Sequence, residues 1–230
     1  MKTFMLFAAL LSMISLGLAE SQRKSAADRL DSAGQVLHEI MATTDNGIPE
    51  EIIERARCVA VVPHMLKEGF VFGAENGRGV VTCRTSEGWS APAFFAISGG
   101  SWGLQTGVEG VNLIMIIQND RTMHRLLSNR FEIGADASSA AGPVGRRTSA
   151  NTGWKLDSDI LTYSSAKGVF AGLALNGASI RSDVHSMEAV YGRQFSTRRV
   201  LQGELAAPEA ARSFLIAVRD VKTQAAESGR

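Results

Sequence analysis

The chain has 230 residues, with 24 Lys and Arg against 23 Asp and Glu, for a formal net charge of +1. That balance argues against nucleic acid as a partner, because such binding calls for a basic patch or stripe and no long cluster of Lys and Arg occurs. Glycine at 23 and proline at 5 suit tightly packed β-structure rather than disorder, and two cysteines without a nearby histidine pair supply no metal-ligand spacing and indicate no cofactor.

Met1 to Ala19 carries one lysine at position 2, no charge from Thr3 through Leu18, and the small residues Gly17 and Ala19 before Glu20. This is the layout of a secretory signal peptide over 1–19, which leaves 20–230 as one exported domain, periplasmic or secreted or peripheral to a membrane. The apolar segment is short for a spanning helix, which needs about 20 residues. In an oxidising compartment Cys58 and Cys83 could pair, but sequence cannot place their Cα atoms within reach, so two buried free thiols are the readier reading and a disulfide the other.

Ser21 to Met41 has apolar residues at Ala26, Ala27, Leu30, Ala33, Val36, Leu37, Ile40 and Met41, one face of a helix. Arg23, Lys24 and Arg29 fall among the remaining polar positions, where a packed helix and a membrane-touching face are both readings. A linker from Thr43 to Gly47 precedes a short helix opened by Pro49, with Glu50 and Glu51 in its first turn, through Arg57. From Cys58 the pattern changes to short apolar runs, and Asn76-Gly77 between two of them signals a hairpin. Ser86-Glu87-Gly88 turns the chain again before Trp89 and a strand over Ala93 to Ile97.

The glycine-punctuated segment from Ser98 runs directly into Val111 to Ile117, which reads as a strand buried on both faces. Gly99-Gly100-Ser101-Trp102-Gly103 matches the G-x-S-x-G nucleophile elbow, an esterase alternative with Ser101 as nucleophile. The three glycines that follow would each cost a helix about 1 kcal/mol relative to alanine, so a glycine-rich antiparallel strand is the better reading. Asp120 is placed as the N-cap of a short helix through Leu127. Phe131 to Ala141 and Tyr163 to Ile180 are strand-like, Gly142 to Lys155 is an exposed loop carrying Arg146 and Arg147, and Pro208 to Val221 forms a closing helix.

Several segments in order carry a resemblance: Ile48-Pro49, Lys67-Glu68-Gly69-Phe70 with Gly73, Gly77-Arg78-Gly79-Val80-Val81 with Arg84, and Trp89-Ser90-Ala91-Pro92. They continue through Gly103 to Gly107, Gly142-Pro143-Val144-Gly145-Arg146, and Tyr163-Ser164 with Lys167-Gly168-Val169-Phe170-Ala171-Gly172. Together, over about 26–191, they resemble the SYLF lipid-binding domain, whose eukaryotic members act in endocytic actin patches. The resemblance implies binding of phosphoinositides or other anionic membrane lipids, no enzymatic activity, and a lipid-contacting N-terminal helix. It nominates Arg23, Lys24, Arg29, Lys67, Arg78, Arg84 and Lys167 for the lipid site. An exported member would not meet cytosolic actin, so actin is not carried over and any protein partner stays unnamed.

The expectation is therefore an α+β fold: N-terminal helices packed on a curved, mainly antiparallel sheet or partial barrel, closed by a C-terminal helix. The expected function is non-enzymatic binding of anionic lipid at a membrane or envelope surface. A structural envelope protein without lipid selectivity is the other non-enzymatic alternative.

Overall fold

The computed structural model describes residues 2–42, 47–69, 72–102, 107–126, 128, 130–142, 158–166, 169–172, 175 and 177–228. The chain opens with α1 (Lys2–Ala42), one helix that runs through the leader-like segment into the amphipathic stretch. Its stripe of Ala26, Leu30, Ala33, Val36, Leu37, Ile40 and Met41 is buried, whereas Glu20 to Ser25 are exposed. The 3.6-residue period thus reports where the helix meets the core. Next, α2 (Glu50–Arg55) starts after Pro49, whose carbonyl accepts from the amides of Ile52 and Ile53. It stops short of Arg57 because the Arg57 amide already donates to the Ile117 carbonyl at 2.7 Å.

The sheet begins with β1 (Cys58–Gly69), β2 (Phe72–Thr85), β3 (Gly88–Trp89), β4 (Ala93–Trp102) and β5 (Gly107–Ile117). After α3 (Asp120–Leu126) come β6 (Arg130–Glu132), β7 (Ser139–Ala141), β8 (Ile160–Ala166), β9 (Val169–Gly172) and β10 (Ser179–Ser182). The chain closes with α4 (Val184–Tyr191), α5 (Thr197–Leu201), a 3-10 turn at Glu209–Ala211 and α6 (Arg212–Ser228). Among the described residues the strand order is β6-β10-β4-β2-β1-β5-β8-β7, with β3 on β2 and β9 on β8. All of these pairs are antiparallel except β7 with β8. The sheet curls into a half-barrel with helices at both chain ends, the α+β architecture expected.

The Asn76-Gly77 hairpin does not form. Both residues lie inside β2, Asn76 opposite Leu66 on one side and Ser98 on the other, and the reversal falls between the paired Gly69 and Gly73. A type I′ turn would need positive φ, and Gly77 and Gly79 have none. Their role is close approach. A Cβ on Gly77 would sit 2.5 Å from Val62 Cγ1, and one on Gly79 would sit 2.5 Å from Phe95 Cζ and 2.6 Å from the Val61 carbonyl oxygen. Gly79→Ala is therefore expected to cost about 1–3 kcal/mol, read as a lower urea midpoint at unchanged slope, since a backbone oxygen cannot swing aside as a side chain can.

Other expectations shift more gently. Val111 and Leu113 to Ile117 are buried between β1 and β8 as expected of a core strand, with Asn112 only half-buried. The cap of α3 is Asn119 rather than Asp120, its Oδ1 accepting from the Thr122 amide at 2.8 Å. The segment 131–141 is two short strands separated by a turn with Gly134 at φ 98°, and 163–180 spans parts of β8, β9 and β10. The loop expected at 142–155 lies outside the described residues beyond Gly142. The helices α4 and α5 are additions to the expected elements, each opened by an ordinary N-cap residue, Asp183 and Ser196, which accept from the amides of Ser186 and Arg199. Cys58 and Cys83, cross-strand partners in β1 and β2, are joined as a disulfide with both residues fully buried.

Candidate functional site

Ser101 is the first site to place. It lies within β4 and pairs with Gly73 of β2, β4 continues through Trp102, and the next strand, β5, opens at Gly107. An elbow holds its serine in a turn between a strand and a helix. Here the serine is part of an antiparallel ladder, so that geometry is absent.

The concave feature that gathers the nominated residues is a cleft of about 550 Å³ between α1 and the strands β1, β2 and β4. Ser25, Asp28, Arg29 and Ser32 of α1 form one wall, because positions three and four apart share a helix face. Pro63, His64 and Leu66 of β1, Asn76 to Arg78 of β2 and Ala96 to Ser98 of β4 form the rest. Lys24 stands one turn before Asp28 on the same helix, and both Arg23 and Lys24 are exposed. The fold thus brings Arg29 and Arg78 together and sets Lys24 beside the helical wall, whereas the helical period turns Arg23 away from it.

The two arginines are not equivalent. Arg29 is 8% exposed, and its Nη1 donates to Asp183 Oδ2 and Ser186 Oγ, each at 3.1 Å, while the guanidinium lies 5.6 Å from the Phe94 ring centroid. Burial pulls its pKa below the ordinary arginine value, against the opposing pull of the Asp183 carboxylate, and Arg78 nearby pulls it the same way. For Asp183 burial acts upward, yet the hydrogen bonds from the Ser186 hydroxyl and amide and the charges of Arg29 and Arg78 bring its carboxyl below the usual range. This pair clamps α1 to the start of α4. Arg78 is exposed and, among the described residues, makes no hydrogen bond or ion pair.

His64 occupies the opposite wall. β1 is irregular there, with register shifts between Val62 and Met65 against β5 and between Val61 and Leu66 against β2. His64 has φ 52°, the one positive φ at a non-glycine among the described residues. Its amide donates to Asn112 Oδ1 at 3.0 Å. Proline at 63 inside an apolar run was the available sign of a bulge.

Arg84 points to a different place. Its Nε donates to the Ala56 carbonyl at 2.8 Å and its Nη2 to Ile53 at 3.2 Å, and the guanidinium stacks 4.6 Å over Trp89. Those contacts satisfy carbonyls at the C-terminal end of α2, where a cation is also favoured by the helix dipole. Arg84 also lines a second cleft of about 530 Å³ with Arg55, Arg57 and Asn119, and Arg57 Nε is paired with Asp120 at 3.1 Å. Lys67 lies near the far end of β1, beyond the described side chains, and Lys167 lies outside the described residues. Among the described residues no group of three His, Cys, Asp or Glu is placed to hold a metal ion.

Comparison with known proteins gives a consistent set. A family model described as "Ysc84: Las17-binding protein actin regulator" matches residues 98–221. Protein YSC84 of Saccharomyces cerevisiae is 32% identical over 177 residues, covering 74% of this chain and 37% of that protein. SH3 domain-containing YSC84-like protein 1 of Bos taurus is 28% identical over 183 residues, 76% of this chain and 53% of that protein. LAS seventeen-binding protein 3 of Saccharomyces cerevisiae is 29% identical over 170 residues, 72% and 37% respectively. The chain spans about half or less of the length of these relatives.

Proposed function

Because this chain belongs to the Ysc84 family, the family of the SYLF domain, we propose that it binds anionic lipid headgroups at a membrane surface and catalyses no reaction. One observation supports the reading: basic residues from two distant parts of the chain, Arg29 on α1 and Arg78 on β2, line one open cleft, with the exposed Lys24 one helical turn before its wall residue Asp28. Arg29 is held by Asp183, so the cations that meet a headgroup in this reading are Arg78 inside the cleft and Lys24 beside it, with the exposed Arg23 on another side of the same helix. Arg29 then holds α1 at the cleft, and Arg84 holds the end of α2 elsewhere on the sheet. With 1–19 read as an export signal, the surface met is one of the cell envelope.

Co-sedimentation with neutral and anionic vesicles tests this. Binding is expected to need anionic lipid and to weaken with salt. Arg78→Gln and Lys24→Gln should each lower affinity about fivefold, the scale of one basic residue at an anionic surface. Equal binding to neutral and anionic vesicles would overturn the headgroup reading. The names of the relatives, which speak of Las17 binding and actin regulation, favour a protein partner as the second reading. Failure to bind either vesicle would shift the weight there.

A further inference from the structure

We infer that His64 contacts the occupant of the cleft, gripping a phosphate group together with Arg78, so that a phosphate-bearing headgroup is held more tightly once the imidazole is protonated. This rests on the headgroup reading and names its chemistry. The bulge in β1 is the starting point. A bulge re-aims a side chain, and here Pro63 and Met65 are buried while His64 between them stays exposed on the cleft wall. Asn112 of the neighbouring strand pins the His64 amide, which holds the left-handed backbone in place. Glycine would hold that backbone with less strain than a residue carrying a Cβ, so the histidine contributes a ring where the backbone alone would favour none. Backbone strain of this kind collects at ligand sites.

The charges that line the cleft with His64 decide what it can do. From α1 come Asp28 and Arg29, the latter offset by Asp183 at the start of α4. β2 supplies Arg78, β4 supplies only Ala96, Ile97 and Ser98, and β5 supplies the uncharged Asn112. With a neutral imidazole, Arg78 and Asp28 offset each other inside the cleft, and the attraction for an anion is the weaker one that Lys24 adds at its edge. With an imidazolium it carries one positive charge, and two cationic donors stand on the sheet side of the cleft. Charge-assisted hydrogen bonds from guanidinium and imidazolium to phosphate oxygens are the strong kind. Imidazole is the side chain whose charge ordinarily changes between about pH 5 and 8, which sets the two pH values to compare.

The test compares anionic vesicles at about pH 5.5 and pH 8, using the wild type, His64→Asn and Asp28→Asn. Asparagine accepts the left-handed backbone, so His64→Asn keeps the bulge while removing the titrating ring. Wild-type binding is expected to be about fivefold tighter at the lower pH, the scale of one added charge-assisted contact. His64→Asn should lose that gain and match the wild type at the higher pH, and Asp28→Asn should bind more tightly at both. In a second arm, inorganic phosphate is titrated while the His64 ring resonances are followed by NMR, with a shift expected in the wild type and none in Arg78→Gln. Vesicle binding with the same pH profile in wild type and His64→Asn, with an unmoved ring, overturns the inference and leaves the headgroup reading standing. A ring shift without vesicle binding at any pH keeps the phosphate site and removes the lipid as its source. Neither response removes both.

Discussion

Asp183→Ala is expected to lower the free energy of unfolding by about 3–5 kcal/mol, the cost of stranding a buried charge. The Arg29 and Asp183 side chains are 8% and 7% exposed, so without the carboxylate the guanidinium keeps its burial penalty and loses its counter-ion. The same substitution removes the N-cap of α4, whose Ser186 amide donates to Asp183 Oδ1 at 3.1 Å, a further loss of about 1 kcal/mol. Replacing both members, Arg29→Met with Asp183→Leu, should be much less damaging than the sum of the single changes, because no charge is left alone. Urea denaturation of the four proteins checks this. Additive losses would mean that the pair is not coupled.

The pH dependence follows from the sign of the Asp183 shift. Its folded-state pKa is depressed, so the folded protein binds that proton less readily than the unfolded chain. The contribution is fully present above the ordinary carboxyl value of about 3.9 and is lost as pH falls through the lower folded value. Acid unfolding of the wild type should therefore steepen below about pH 4. In Asp183→Asn this component should vanish, so the difference between the two proteins shrinks as the solution is acidified.

The second large effect belongs to the Cys58–Cys83 disulfide. The bond closes a loop of sequence separation 25 and removes unfolded-state freedom corresponding to about 3.5 kcal/mol in the chain-entropy description. The double change Cys58→Ala and Cys83→Ala should lower stability by that order, read as a shift of the urea midpoint under oxidising conditions. Both cysteines have zero exposure, so thiol reductant should leave the native protein oxidised and act only once urea opens the sheet. Rapid reduction of the native protein would contradict the buried, paired position between β1 and β2.

Much of the fold is legible residue by residue. The α1 stripe, the core strand at 111–117 and the Ser86-Glu87-Gly88 turn are local periodicities or turn chemistries, which depend on near neighbours alone. The missed features depend on partners far along the chain. Arg29 falls on the α1 stripe beside Ala26, Leu30 and Ala33, the one available sign that it is buried, but its partner Asp183 is 154 residues away. Arg84 reads as one more exposed cation until Ala56, Ile53 and Trp89 surround it.

The class of fold, the family motifs and the inward faces of the helix and core strand are readable from neighbouring residues, because amphipathic period and glycine placement are written locally. That Gly77 and Gly79 serve close packing rather than a turn is visible in the folded chain alone, since Asn-Gly has the same local signal in both roles and the difference lies in Val62, Phe95 and the Val61 carbonyl across the sheet. The folded chain also decides which cations hold the frame and which face the cleft. A guanidinium becomes structural or available according to whether a carboxylate, carbonyl or ring meets it, and that depends on strand order and helix docking rather than on the residues beside it in the chain.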